Sequence, residues 1–158
     1  MPDLNTSPKA DLARELFRQG ANCAQAVAAA FADECGKTKE EMARLASGFG
    51  AGIGRMREVC GAVSGMVLTA NLIWGPDDLA DKEGKDAQYS LIQNLAEKFK
   101  AETGSIICRE LLGLAPKQTD PPVSEARTEK YYQKRPCVEM VALAAAILEE
   151  ALAAKTNE

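Results

Sequence analysis

The chain has 158 residues, of which 46% are apolar, 27% are charged and only 5% are aromatic. This length is sufficient for one domain that folds without disulfides, and the many alanines favour packed helices over an aromatic-rich β-sandwich. A formal net charge of −4 argues against a nucleic-acid surface, which needs Lys and Arg in excess, and the lack of histidine excludes histidine chemistry. We therefore expect one all-α domain over residues 1–158.

The N-terminal sequence MPDLNTSP has neither the basic start nor the apolar core of a signal peptide, so a cytoplasmic location is the default expectation. The longest uncharged stretch, residues 60–76, is shorter than the ~20 residues that cross a bilayer and contains Asn71 and three glycines. This stretch predicts a core helix and no membrane insertion. Five cysteines without a CxxC pair are typical of neither a secreted disulfide framework nor a zinc ribbon.

The first third of the chain contains three sets of helix start and stop signals. N-cap residues precede apolar residues at helical spacing, and a glycine follows each run. The third set also has the spacing of a capping box, since Glu41 follows Thr38 by three residues. The three predicted helices extend from Ser7 to Gly20, from Asn22 towards Cys35-Gly36, and from Thr38 to about Gly48.

Residues 48–54, GFGAGIG, place a glycine at every second position, which predicts a loop that turns or approaches another group closely. The helical pattern returns from about Glu58 and stops at the sequence WGPDD. Gly61 and Gly65 lie four residues apart on one face of this helix, so another backbone can pack close to it.

The second half of the chain predicts two more helices and a linker. Residues 77–86 form a polar stretch before an amphipathic helix that ends ahead of Gly104. Ser105 is the expected cap of a short helix that stops at Gly113. Residues 115–126, APKQTDPPVSEA, have the composition of a linker.

Pro136 divides the last third into a polar helical approach, residues 124–135, and an almost entirely apolar helix, residues 137–154. We expect the apolar helix to be central to the core. The predicted fold is a compact bundle of six to seven helices with a central glycine-rich loop.

Four of the five cysteines fall at predicted helix N-termini. These are Cys23 after Asn22, Cys60 after the glycine-rich loop, Cys108 three residues after Ser105, and Cys137 after Pro136. Unpaired N–H groups and the helix dipole favour a thiolate at such positions. Burial alone would account for any one free cysteine, but first turns hold only about a quarter of helical residues, so four placements of five are uncommon by chance. Cys35 lies at a helix C-terminus, where a thiolate is disfavoured, and is interpreted as an ordinary residue.

Three charged residues lie directly before Cys60. A guanidinium from Arg55 or Arg57 would lower the pKa of the Cys60 thiol, and together with the flexible approach this makes Cys60 the candidate attacking thiol. Glu58 would oppose that effect; its alternative role is to hold the glycine-rich loop by accepting backbone N–H bonds at the helix start. A solvated surface is the competing interpretation of all three charges.

The run from Cys60 to Gly65 reads CGAxxG and is preceded by Cys23 and followed by Cys108 and Cys137. This arrangement resembles the family of redox-active proteins named for its C, GCAxxG, C, C pattern, and residues 48–65 are similar to the central segment of that family. The resemblance extends from Cys23 to Cys137 and leaves out Cys35. It implies a small bacterial redox-active protein whose substrate and reaction are not established for the family as a whole.

Three functions remain open from the sequence. In the first, the cysteines perform reversible thiol–disulfide chemistry with an unidentified redox partner, and three pairings of the four are possible. In the second, Cys23, Cys60, Cys108 and Cys137 hold an iron–sulfur cluster or a structural zinc, although their wide spacing is unlike that of ferredoxins and zinc ribbons.

The third function is non-redox: the glycine-rich loop cradles a phosphate in a ligand-binding module. The residues before the loop are predicted to be helical, whereas a dinucleotide fingerprint follows a strand. The oligomeric state is also open, because the apolar last helix and the glycine pair suit either the core of a monomer or the seam of a homodimer.

Overall fold

The structure, a computed structural model, describes residues 2–118 and 120–156. Within these ranges the chain forms eight helices, six of them at least eight residues long, and no strand. The predicted all-α class is confirmed. The helices are α1 (Pro8–Arg18), α2 (Cys23–Ala30), α3 (Lys39–Ala46), α4 (Gly61–Trp74), α5 (Lys82–Thr103), α6 (Cys108–Leu111), α7 (Glu129–Lys134) and α8 (Cys137–Thr156).

The N-caps of the first three helices form as the sequence predicts. The side chain of Ser7 accepts the backbone N–H of Ala10, and Thr38 caps α3 in the same way. At α2 the cap is reciprocal, because Asn22 accepts the N–H of Gln25 while the Gln25 side chain accepts the N–H of Asn22. This capping box fixes the position of Cys23, the first residue of α2. The box predicted at Thr38 forms only by half, since Thr38 accepts the N–H of Glu41 but the Glu41 side chain does not return to Thr38.

Two predicted helix boundaries in the first half of the chain are wrong. α2 ends at Ala30 and residues 31–36 form turns, so Cys35 lies outside the helix. α4 begins at Gly61 and not at Glu58, because the residues before it pair with a distant segment of backbone.

Three boundaries in the second half also differ from prediction. α5 begins inside the polar stretch 77–86, since the side chain of Asp81 accepts the N–H of Gly84 and caps the helix. Ser105 does not cap α6, because its hydroxyl accepts the N–H of Ile107, which lies before the helix. The helix begins at Cys108 and lasts one turn. Only the second half of the polar approach is helical, as α7. The predicted linker has no helix in its described residues, and residue 119 lies outside them.

The centre of the bundle is α2, which contacts α1, α3, α4 and α8. Seven of its eight residues are buried, and most of them are alanines. A Cβ added at Gly65 of α4 would lie 2.7 Å from the carbonyl oxygen of Ala24, and one at Gly61 would lie 3.0 Å from Cβ of Cys23. The close backbone packing predicted for this glycine pair is confirmed.

The last helix, α8, is central to the core as predicted. Eight consecutive residues, 141–148, are buried, and the helix contacts α1, α2, α4 and α5. Of the helices in residues 2–118 and 120–156, none combines the length and the hydropathy of a bilayer-spanning segment.

Replacing Gly65 with alanine tests the α2–α4 contact. In an isolated helix the change would stabilise by about 1 kcal/mol, but here the new Cβ meets backbone of α2. We expect a loss of roughly 1–3 kcal/mol in the free energy of unfolding, measured by urea titration under reducing conditions. Gly48→Ala is the matched control, because nothing lies within 4 Å of its added Cβ; its change should stay within about 0.5 kcal/mol. A stabilised Gly65→Ala protein would contradict the contact.

Candidate functional site

One cavity of about 400 Å³ collects the four cysteines singled out by the sequence. Cys23, Cys108 and Cys137 are the first residues of α2, α6 and α8, and Cys60 is the residue before α4. Four helix N-termini therefore meet at one cavity. Cys35 is half-buried in the turns after α2 and does not line the cavity.

The glycine-rich loop forms part of the cavity wall. After a 3₁₀ turn, Ser47–Phe49, the backbone is left-handed from residue 51 to residue 55. Gly52 and Gly54 adopt this conformation without strain, whereas Ala51, Ile53 and Arg55 adopt it against the usual preference of residues with a Cβ. A Cβ added at Gly52 would lie 2.7 Å from Cβ of Cys108 and 2.6 Å from Cα of Arg57. A Cβ at Gly50 would lie 2.3 Å from Cγ of Asn22. Gly50 and Gly52 thus let the loop pack against the starts of α2 and α6.

A short antiparallel backbone pairing joins the segments before α4 and α6. The N–H of Cys60 donates to the carbonyl oxygen of Ile106 at 2.7 Å, and the N–H of Cys108 donates to that of Glu58 at 2.6 Å. Val59 and Ile107 form the bridge between these bonds. The pairing sets Cys60 and Cys108 side by side. The backbone N–H of Glu58 donates to the carbonyl oxygen of Gly52 and so holds the glycine-rich loop. The Glu58 side chain is exposed, so its predicted role as an acceptor of backbone N–H bonds is wrong.

Arg57 contacts Cys108 and not Cys60, contrary to the sequence-based expectation. Its Nη1 lies 3.7 Å from Sγ of Cys108, and its Nε donates to the carboxylate of Asp120 at 2.6 Å. Arg57 is only 5% exposed, and Arg55 is half-buried beside Glu125 at 3.8 Å. The solvated-surface interpretation is therefore wrong for both arginines.

Burial disfavours the thiolate at Cys60 and Cys108. Desolvation raises the pKa of Cys60 to about 12, even though backbone hydrogen bonds from Ala62 and Val63 lower it. Desolvation also raises the pKa of Cys108, against the opposing effect of the hydrogen bond from Arg57. At neutral pH both groups are thiols, and Cys60 is a poor candidate for the attacking residue.

Cys137 is the one cavity cysteine whose pKa is lowered. The main cause is a side-chain hydrogen bond with Cys23, and the positive charges of Arg135, Arg127 and Arg57 add to it. The same hydrogen bond, followed by burial, raises the pKa of Cys23. Cys23 is 8% exposed whereas Cys137 is half-buried. The site therefore pairs a half-buried thiol whose pKa is lowered with a buried thiol whose pKa is raised.

Residues 120–128, here called the strap, contribute Pro122, Ser124 and Glu125 to the cavity wall. Asp120 binds Arg57, and Glu125 binds both Arg55 and Arg135. Arg127 donates to the carbonyl oxygens of Phe17 and Ala21 at 3.1 and 2.9 Å, and its guanidinium lies 4.3 Å from the centre of the Phe17 ring. These bonds hold the strap against α1, the glycine-rich loop and the start of α8.

Neither the strap nor its charges were predicted from the sequence. Residues 115–126 have the prolines and polar residues of a linker, and a linker composition carries no signal for what its side chains contact. The position of Arg135 just before Pro136 and Cys137 was the one available indication. Tyr131 was also missed; it lines the cavity, and burial raises its pKa to about 12, so its phenol stays protonated at neutral pH.

The cysteines share a cavity but not a metal-binding arrangement. Among residues 2–118 and 120–156, no three Cys, His, Asp or Glu side chains are placed to hold one metal ion. All five cysteines are free thiols with no disulfide between them. The donor set as placed does not fit a thiolate metal centre.

Comparison with known proteins bears on the same four residues. The family model described as "Putative redox-active protein (C_GCAxxG_C_C)" matches residues 21–151, a range that includes every cysteine of the cavity. No curated protein and no solved structure matches the chain significantly.

Removing the donor at residue 23 tests the origin of the low pKa of Cys137. In Cys23→Ala the thiolate loses its hydrogen bond, so its pKa should rise and less thiolate should exist at pH 7. We expect the pH profile of iodoacetamide alkylation at Cys137, followed by peptide mass spectrometry, to move to higher pH. Cys23→Ser keeps an O–H donor and should move less than Cys23→Ala. Cys35→Ala, which is distant from the cavity, should leave the profile unchanged; an unchanged Cys23→Ala profile would contradict the assignment.

Proposed function

Since the chain belongs to the C_GCAxxG_C_C family of redox-active proteins, we propose that it reduces disulfides by two electrons through Cys137 and Cys23. The observation that carries the proposal is the shared cavity, which both Cys23 and Cys137 line. Cys137 is half-buried and its contact with Cys23 lowers its pKa, whereas Cys23 is buried and its pKa is raised. In thiol–disulfide exchange, an attacking thiolate next to a resolving thiol is the required arrangement.

The first step is attack by Cys137. Its thiolate displaces one sulfur of the substrate disulfide, so that an S–S bond forms between Cys137 and one half of the substrate while the other half leaves as a thiolate. Cys137 suits this step because it is the most accessible of the four cavity thiols and three guanidinium groups favour its charged form.

The second step is resolution by Cys23. Its thiol loses a proton to the thiolate that left first, and its sulfur attacks Sγ of Cys137, releasing the second half of the substrate as a thiolate. The substrate disulfide has gained two electrons, and the protein holds a Cys23–Cys137 disulfide. A dithiol reductant returns the protein to its starting state by the same exchange in reverse.

Cys60 and Cys108 provide two further thiols on the same cavity wall. Both are less than 10% exposed, and burial raises the pKa of each, so they react more slowly than Cys137 with a reagent that enters the cavity. We assign them no step in the first exchange.

A four-thiolate iron–sulfur cluster or zinc site is the competing function for these residues. It requires the four sulfurs to surround one point, with the short metal–sulfur distances of such centres. The arrangement of the described side chains gives it no support, and metal analysis of the purified protein separates the two functions.

Trapping experiments test the exchange. Reduced protein is mixed with one equivalent of dithiodipyridine, a neutral disulfide, and mapped by mass spectrometry. We expect a Cys23–Cys137 disulfide in the native chain and a mixed disulfide that persists at Cys137 in Cys23→Ser. Cys137→Ser should lose the fast reaction, by roughly a hundredfold or more in rate, since only buried thiols with raised pKa values remain in the cavity. Cys35→Ser is the matched control and should behave as the native chain.

Two results would overturn the proposal. One is a purified protein that contains iron or zinc near stoichiometry and loses its reactivity pattern when the metal is removed. The other is a first mixed disulfide at Cys60 or Cys108 in Cys23→Ser, which would place the attacking thiolate elsewhere in the cavity.

A further inference from the structure

The cavity is positively charged although the protein as a whole is acidic. Arg55, Arg57 and Arg135 line it. Arg127 lies near enough to Cys137 for its charge to lower the pKa of that thiol. The neighbouring carboxylates that pair with them are Asp120 and Glu125. Four guanidinium groups therefore face two carboxylates in a chain whose formal net charge is −4.

The two carboxylates do not neutralise this site. Glu125 alone serves both Arg55 and Arg135, and its distance to Arg55 is 3.8 Å, which is at the outer limit of an ion pair. Arg127 is held by two backbone carbonyls and stacks on the rings of Phe17 and Tyr131, so its charge is positioned without a carboxylate. The arrangement leaves guanidinium capacity for an anion that enters the cavity.

The shape of the site limits the size of that anion. A cavity of about 400 Å³ lies at the lower end of the range for small-molecule sites. Pro122, Ser124 and Glu125 of the strap line it, and Cys137 is half-buried. A sulfur that is half-buried in a cavity of this size is reached more readily by a small molecule than by a disulfide on the broad surface of a folded protein.

We propose that the substrate is a small disulfide that carries carboxylates, with Arg55 and Arg135 as the residues that bind its negative charge. This inference rests on the exchange chemistry proposed above and names its substrate class. Cys137 attacks the nearer sulfur, one carboxylate-bearing thiolate leaves, and Cys23 then releases the second, so one disulfide becomes two thiols while the dithiol becomes a disulfide. The N-termini of α2, α4 and α8 add favourable dipoles at the same cavity.

Two small aromatic disulfides of opposite character test the charge requirement. Dithiobis(nitrobenzoate) carries two carboxylates and dithiodipyridine carries none, and each releases a coloured thiol on exchange. Single-turnover rates with reduced Cys35→Ser protein give a rate ratio, anionic over neutral. We expect this ratio to fall as salt is added, because guanidinium–carboxylate attraction is screened.

Removing the charge of Arg55 and removing the charge of its partner Glu125 should change this rate ratio in opposite directions. Arg55→Gln should lower the ratio of the anionic-probe rate to the neutral-probe rate by roughly three- to tenfold. Arg55 suits this test because it is not among the charges that lower the pKa of Cys137. Glu125→Gln frees both of its arginines and should raise the ratio, a gain that misfolding cannot produce. Arg44→Gln, on the exposed face of α3, is the matched control and should leave the ratio unchanged.

The outcomes separate this inference from the function on which it rests. If the neutral probe yields the Cys23–Cys137 disulfide but neither salt nor Arg55→Gln nor Glu125→Gln changes the ratio, the exchange chemistry stands and the anionic substrate class is wrong. If neither probe yields that disulfide in the native chain, the exchange chemistry itself fails. A ratio that Arg44→Gln lowers as much as Arg55→Gln would also contradict the binding role of Arg55, since the effect would then reflect net charge alone.

Discussion

The close contact between α2 and α4 is the constraint on which the site depends. Gly61 and Gly65 let the backbone of α4 pack directly on that of α2, and the contact at Gly61 is made with Cβ of Cys23 itself. It brings the N-terminus of α4, and with it Cys60, to the N-terminus of α2. The pairing of Cys60 with Ile106 and of Glu58 with Cys108 then brings the start of α6 to the same place. A larger residue at either glycine would separate helices whose ends form one wall of the cavity.

The reactivity of the four thiols is decided by burial more than by helix position. A helix N-terminus stabilises a nearby negative charge by at most ~2 kcal/mol. For Cys60 the rise from an ordinary pKa of 9.0 to about 12 corresponds to about 4 kcal/mol, so desolvation outweighs the dipole and the local N–H bonds. At Cys137 the hydrogen bond with Cys23 and the charges of three arginines outweigh desolvation, so its pKa is lowered. Of four similar positions in the sequence, one therefore has a lowered thiol pKa and three have raised ones.

The strap holds the arginines of the site in place. Asp120 binds Arg57 and Glu125 binds Arg55, both between the glycine-rich loop and α4, and Glu125 also binds Arg135 before α8. Arg127 of the strap itself joins it to α1 and to the turn before α2. The charges near the Cys137 sulfur thus depend on a segment that has no regular secondary structure.

Local sequence patterns are sufficient to predict the all-helical class, the caps at Ser7, Asn22 and Thr38, and the four cysteines at helix starts. These features depend on signals within a few residues of one another: a cap side chain and the N–H three residues on, an apolar period, or a glycine after a helix. The close approach at Gly61 and Gly65 was also predictable, since both lie on one face of a helix with small neighbours.

Which thiol has the lowered pKa depends on the packed fold. Arg57 is three residues from Cys60 in sequence, yet its left-handed backbone and its bond to Asp120 direct it to Cys108. The hydrogen bond between Cys23 and Cys137 joins residues at opposite ends of the chain, and the arginines near them come from separate segments. Helix starts are fixed by local backbone chemistry, whereas burial and charge at a sulfur depend on side chains that only the packed fold brings together.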